Sequence, residues 1–251
     1  MRNNTTRFLS VLLISASLVL DASALGRGVG QRSRTKTSSP PSTTSTPKDT
    51  EIVSGLREAL SNGTMSAISE LGRDGGFLNN VRVKIPMPAP LRPIEKTLRF
   101  MGQQKMADEF VATLNHAAEK AVVEAVPVFA DSIKQMSFAD AKAILTGPKD
   151  SATQYFKRTS EKKLFEKFLP IVKKATDATG VTSQYKRMTE SVPLGALSGK
   201  NNFDLDTYVT NKAMDGLFLL IADEERRIRE NPVARTTDIL RKVFGIGKSP
   251  R

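Results

Sequence analysis

From Thr50 onward the apolar residues return every three or four positions, the period that aligns one face of an α-helix. Ile52, Val53, Leu56 and Leu60, then Met65, Ile68 and Leu71, predict a first helical region interrupted or bent at Asn62-Gly63. The period is lost between Leu71 and Pro93. Gly72, Gly75 and Gly76 interrupt it, Val81 to Ile85 alternates like a short extended segment, and Pro86, Pro88, Pro90 and Pro93 favour polyproline II. An ordered, irregular loop is expected there. A second helix is predicted to start near Pro93, a residue suited to a first helical turn, and to end about Gly102.

The next stripe is the clearest. Met106, Phe110, Val111, Leu114, Ala118, Ala121, Val122 and Ala125, with Ala112 and Ala117 beside them, predict a helix whose small residues permit close approach by its neighbours. Pro127 kinks or ends it. Val128 to Met136 continues as a short helix, and Ser137-Phe-Ala-Asp140 opens another with capping-box spacing, stopped at Gly147-Pro148. A helix with Ala152, Tyr155 and Phe156 follows, then a long one from Ser160 to Ala178 with Leu164, Phe165, Phe168, Ile171 and Val172 inside, bent at Pro170. Val181 to Met188 reads as a short helix and Leu194 to Asn202 as a polar loop. Leu205, Val209, Ala213, Leu217, Leu220, Ile221 and Ile228 form the second strong stripe, closed by Asn231-Pro232. Ile239, Leu240, Val243 and Phe244 mark a last helix. The expected fold is all-α: a single bundle of about eight to ten short helices over residues 49–246, with 247–251 a frayed tail.

The residues before Asp49 follow other rules. Met1 to Arg7 is basic, Phe8 to Leu20 is an apolar run short of the roughly 20 residues a spanning helix needs, and Ala22-Ser-Ala24 has the small-x-small form of a processing site. Residues 1–24 are expected to be a cleaved secretory signal that sends the domain to the periplasm or outside the cell, and no transmembrane segment is expected in the mature protein. Residues 25–48 carry Arg, Lys, Ser, Thr and Pro without an acid and cannot bury a core, so a disordered spacer is expected. The same composition suits an organelle transit segment, and Ala22-Ser-Ala24-Leu25 resembles the junction of bipartite plastid presequences; a plastid is therefore the alternative destination.

Composition narrows the chemistry. The chain has no cysteine, which removes disulfides, thiolate metal sites and cysteine nucleophiles, and leaves stability to helix packing. His116 is its one histidine, so a Ser-His-Asp triad has a single place to be and a multi-histidine zinc site has none. The formal net charge is +12, but Arg2, Arg7, Arg27, Arg32, Arg34, Lys36 and Lys48 against Asp21 alone supply half of it, leaving a moderately basic domain. Lys157, Arg158, Lys162, Lys163, Lys167, Lys173 and Lys174 form a basic series over two neighbouring predicted helices. Aromatics there sit at core spacing rather than interleaved for base stacking, so a solvated face is expected and no specific nucleic-acid partner. Arg226, Arg227 and Arg229 follow Asp223, Glu224 and Glu225 and are predicted to pair along their own helix.

Several blocks resemble a known family. They are Gly55-Leu-Arg-Glu-Ala-Leu60, Gly76-Phe-Leu-Asn-Asn80, Val83-Lys-Ile-Pro-Met-Pro88, Asn115-His-Ala-Ala-Glu119, Asp140-Ala-Lys-Ala-Ile-Leu-Thr-Gly-Pro148 and Ala152-Thr-Gln-Tyr-Phe156. Tyr208-Val-Thr-Asn-Lys-Ala-Met-Asp-Gly-Leu-Phe218 and Ile228-Arg-Glu-Asn-Pro-Val-Ala-Arg-Thr-Thr237 complete the set. In that order they resemble the domain of unknown function 4197 family, mainly bacterial, over about Ile52 to Phe244. The resemblance implies an exported, mostly helical protein and no particular activity. The family commonly has Arg where this chain has His116, a weaker base whose charge depends on pH.

Four residues are binding candidates. Asn115 and Glu119 are four apart and share a helix face, His116 lies beside them, and Asp215 sits in the other strong apolar helix next to Gly216, which is expected to admit a neighbouring helix. The favoured reading of the polar pair is a buried hydrogen-bond network that fixes helix register; the other is a polar pocket with inward carboxylates. The Glu-x-x-His spacing of carboxylate metal bundles is absent, so no metal and no cofactor are expected, and His116 reads as a surface or capping residue. No catalytic residue is assigned. The expected protein is an exported, non-enzymatic domain that binds a protein or small-molecule partner. An enzyme or metal carrier using inward carboxylates, and a peripheral binder of anionic surfaces, are the alternatives.

Overall fold

Where the apolar period is helical, the chain is helical. The computed structural model describes residues 49–178, 180 and 203–231. In order, α1 spans Asp49–Gly72, a 3-10 turn Ala89–Leu91, α2 Arg92–Phe100, α3 Gln104–Val122, α4 Ala125–Gln135, α5 Phe138–Thr146, α6 Ser151–Ala178 and α7 Leu205–Glu230. No strand occurs among the described residues, and the fold class is all-α. The signal and spacer, the short helix predicted at 181–188, most of the polar loop before Phe203, the last predicted helix and the tail lie outside the described residues.

The core is built where α3, α6 and α7 pack on one another and α1 closes against α3 and α7. α4 lies on α1 and α6, α5 on α6 and α1, while α2 leans chiefly on α3. Ala107, Ala117, Ala118 and Ala121 are all buried along α3, and their small side chains let three helices reach its axis closely. Larger side chains fill the spaces between. Phe129 of α4 meets Phe156 of α6 edge-on, with ring centroids 4.9 Å apart. Every member of the second predicted stripe, from Leu205 to Ile228, is buried in α7.

Two predicted boundaries do not break the chain, so the helices there run longer than expected. α1 runs straight through Asn62-Gly63. Gly63 faces α7, where a methyl group in its place would lie 3.5 Å from Glu224 Cβ and 3.6 Å from Ile228 Cδ1; packing on α7 outweighs the roughly 1 kcal/mol helix penalty of glycine. α6 likewise absorbs both predicted helices on either side of Ser160, and Pro170, on its solvent side, interrupts one backbone bond without ending it. Pro127 acts as expected but three residues later than the break it causes. Its ring conflicts with the carbonyl of Val123, so the chain turns at Val123-Glu124 and Pro127 sits in the first turn of α4. Met65 and Met106, assigned to apolar stripes, are exposed; Ala67 and Ala107 occupy the buried positions.

Polar side chains finish the helix ends. Ser137 and Asp140 form the predicted capping box, with Ser137 Oγ accepting from Asp140 N–H and Asp140 Oδ2 accepting from Ser137 N–H, both at 3.1 Å. Arg57 Nη2 donates to the Met136 carbonyl at 2.6 Å, placing a cation at the C-terminal end of α4. Asp204 caps α7 by accepting from Thr207 N–H at 3.1 Å.

Candidate functional site

Between α1 and the 3-10 turn, residues 73–88 form the ordered, irregular loop that the glycines and prolines predict. Its alternation is real: Val83, Ile85 and Met87 are buried, while Arg82, Lys84 and Pro86 are exposed. An extended segment with no partner strand leaves backbone groups without partners, and buried ones must find them elsewhere. Asn115 of α3 supplies them. Its Oδ1 accepts from Ile85 N–H at 2.8 Å, its Nδ2 donates to the Ile85 carbonyl at 2.9 Å, and the same nitrogen donates to the Val111 carbonyl one turn back at 2.7 Å.

One turn further along α3, Glu119 secures the start of the loop. A single oxygen, Oε1, accepts from the successive backbone N–H groups of Phe77 and Leu78 at 3.0 and 3.1 Å. The other, Oε2, accepts from His116 Nδ1 at 2.7 Å. His116 also lies 3.7 Å from Asp74 Oδ1. The turn that brings Asp74 there passes through Gly75 at φ 73°, a left-handed conformation that glycine adopts without strain. Asp74, His116 and Glu119 therefore meet at one point, their ligating atoms all within 4.8 Å of one another.

Asn115, His116 and Glu119 thus belong to one network, and it is a loop rather than a second helix that they hold. Asp215 is not part of it: exposed on α7, it lies 3.1 Å from Lys212 Nζ of its own helix. Gly216, buried beside it, admits this loop and not another helix. A Cβ at Gly216 would meet Phe77 Cε1 at 2.8 Å and Val83 Cβ at 3.2 Å.

Two residues take roles beyond those the sequence predicts. Asp74 depends on the Gly75 turn. Glu225 is buried in α7 and accepts from Ala152 N–H and Thr153 N–H, both at 2.9 Å, so it caps α6 from outside the helix. Arg229 pairs with Glu225 at 2.8 Å and donates from the same nitrogen to the Ile144 carbonyl at 2.8 Å, closing the end of α5. The available signal was spacing: Ile221, Glu225 and Ile228 stand at i, i+4 and i+7 on the buried stripe. The predicted pairs along α7 are present, Arg226 with Asp223, Arg227 with Glu224 and Arg229 with Glu225. The basic series from Lys157 to Lys174 lies exposed on the single helix α6, with Phe156 and Phe168 buried behind it.

Two open grooves flank the secured loop. One of about 870 Å³ is bounded by the loop, α2 and α3; it has Leu78, Val81, Met87 and Val111 on its walls and charged side chains of both signs at its rim. The other, about 700 Å³, runs along α3 past Gly72 and contains Asp74, His116 and Glu119, with Thr113, Lys120 and Glu124 nearby. No helix among the described residues is long and apolar enough to cross a membrane.

A family model described as "Protein of unknown function (DUF4197)" covers residues 46–245. No curated protein and no solved structure matches the chain.

Proposed function

The chain belongs to the DUF4197 family, and from that premise we propose that it is an exported, non-catalytic helical domain that binds a protein partner on the face made by the 73–88 loop, α2 and α3. The observation that carries this reading is a binding face that is already formed. Asn115 and Glu119 fasten the loop from beneath, so its outer side is ordered before any partner arrives, which lowers the entropic cost of association. That outer side carries Val81, 91% exposed, and α2 ends in Phe100 and Met101, 93% and 62% exposed. Large apolar side chains in the open among polar ones are the composition of a protein interface.

Charge favours a protein over an anionic surface. Arg99 is paired with Glu95 and Asp108, and Lys105 with Glu109, so acids of this face offset part of its positive charge. A mixed-sign rim suits a mixed-sign partner. The non-catalytic part is supported by Asn115 and Glu119, whose side chains are taken up in holding the backbone of the loop. Export is supported by the basic start, apolar run and Ala22-Ser-Ala24 pattern of the first 24 residues.

The test is a photo-activatable residue placed at Val81 and, as control, at exposed Glu161 on α6, in cells making the full chain, followed by fractionation. A discrete adduct in the exported fraction from Val81, none from Glu161, and loss of the adduct in Phe100→Asp without a change in melting temperature are expected. Equal adducts from both positions, or one indifferent to Phe100→Asp, would overturn the binding face. A chain kept in the cytosol with Met1 to Ala24 attached would overturn export.

A further inference from the structure

We propose that Asp74, His116 and Glu119 form a site for a divalent transition-metal ion of the zinc type, an inference that does not rest on the partner-binding reading. One imidazole nitrogen and two carboxylate oxygens are a donor set that such ions accept, and hard ions such as magnesium and calcium prefer oxygen alone. His116 and Glu119 stand three apart on α3, so one helix face presents both Nδ1 and Oε2.

The spacing suits an ion with metal–ligand bonds of about 2.0–2.2 Å, which places neighbouring donors roughly 3–3.5 Å apart. Nδ1 is 2.7 Å from Glu119 Oε2 and 3.7 Å from Asp74 Oδ1, and all three donors lie within 4.8 Å of one another. Small side-chain rotations close that set around an ion. Asp74, 96% exposed at a loop tip, is free to make the larger one.

Two further observations separate this cluster from a chance meeting of surface charges. Glu119 is buried and its second oxygen is fixed by the amides of Phe77 and Leu78, the kind of outer hydrogen bonding that aims a ligating carboxylate. The three donors also open into the groove along α3, which leaves space for a fourth ligand, a water or a group from a bound molecule. Asp74 and Glu119 supply two negative charges to offset the ion, and Glu124 lines the same groove.

The experiment is a titration of the full chain, stripped with a chelator, with zinc chloride, read by calorimetry and by thermal melts. Glu119→Gln also damages the loop clamp, so the informative variants are His116→Arg and Asp74→Ala. A guanidinium at 116 can still pair with both carboxylates but has no lone pair to give a metal. One zinc per chain, a melting temperature raised by zinc and not by magnesium, binding weakened about 10-fold in Asp74→Ala and at least that much in His116→Arg are expected. The cobalt-substituted chain should show visible absorption that disappears in His116→Arg. No zinc-dependent shift, or a shift of the same size in His116→Arg, would overturn the site.

Discussion

The side chain of Asn115 and the backbone of Ile85 hydrogen-bond in both directions, at 2.8 and 2.9 Å. In a sheet a neighbouring strand would meet the Ile85 peptide in this way; here a helix side chain does it. Asn115→Leu keeps the volume and removes both bonds, leaving a buried N–H and a buried carbonyl unpaired. A loss on the order of 3 kcal/mol in urea unfolding is expected, together with faster hydrogen exchange at Ile85 than at the amides of α3. A loss under about 0.5 kcal/mol would mean that the loop is held by its apolar contacts alone.

Glu225 joins three segments, so its removal is expected to be costly. Glu225→Gln removes the buried carboxylate charge that Arg229 meets at 2.8 Å and weakens the cap on Ala152 and Thr153, for a predicted cost of about 3 kcal/mol. Adding Arg229→Met to it is expected to cost less than the sum of the two single changes, because the two side chains share one ion pair. Calorimetric melts of the single and double variants decide it.

Two buried glycines are expected to respond in opposite directions to the same substitution. At Gly63 a methyl group finds ordinary van der Waals contact, so Gly63→Ala should raise stability by about 0.5–1 kcal/mol through helix propensity. At Gly216 it would meet the Phe77 ring at 2.8 Å, and Gly216→Ala should lower stability by roughly 1–3 kcal/mol. Denaturant midpoints of the two variants on the same side of wild type would contradict these contacts.

Hydrogen bonds from the Ser137 side chain and backbone hold the Asp140 carboxyl below the ordinary aspartate range, and those from Thr207 do the same for Asp204. A depressed folded-state value means that the unfolded chain binds the proton more readily. The caps therefore contribute fully above the ordinary aspartate value and lose their contribution as pH falls through the lower folded values. Asp204 is exposed and Asp140 half-buried at the surface, so the effect is small. Stability measured from neutral to acid pH should fall less steeply below about pH 4 in Asp140→Asn/Asp204→Asn than in wild type, from a lower starting point.

The sequence disclosed what depends on one face of one helix. The seven apolar residues of α7 are buried as their period requires, and the Ser137-Asp140 spacing closes as a capping box because it is local. Contests between local preference and distant packing were not legible: Asn62-Gly63 reads as a break until Glu224 and Ile228 arrive against it. The network character of Asn115 and Glu119 could be read from polar residues on an apolar face. Its partner could not, since a backbone amide offers no side-chain signature. Asp74 and the capping role of Glu225 are hidden for the same reason, each set by neighbours brought in through a turn or an end-cap remote in the chain.

The position of α7 bears on the moment at which this chain can fold. Synthesis delivers the N-terminus first, yet α1, α3 and α6 all pack on α7, and the start of α6 is capped by Glu225 of that helix. Until residues 205–230 emerge, the earlier helices have an open apolar side and an uncapped joint. The core of the bundle therefore cannot be closed until that helix has been made.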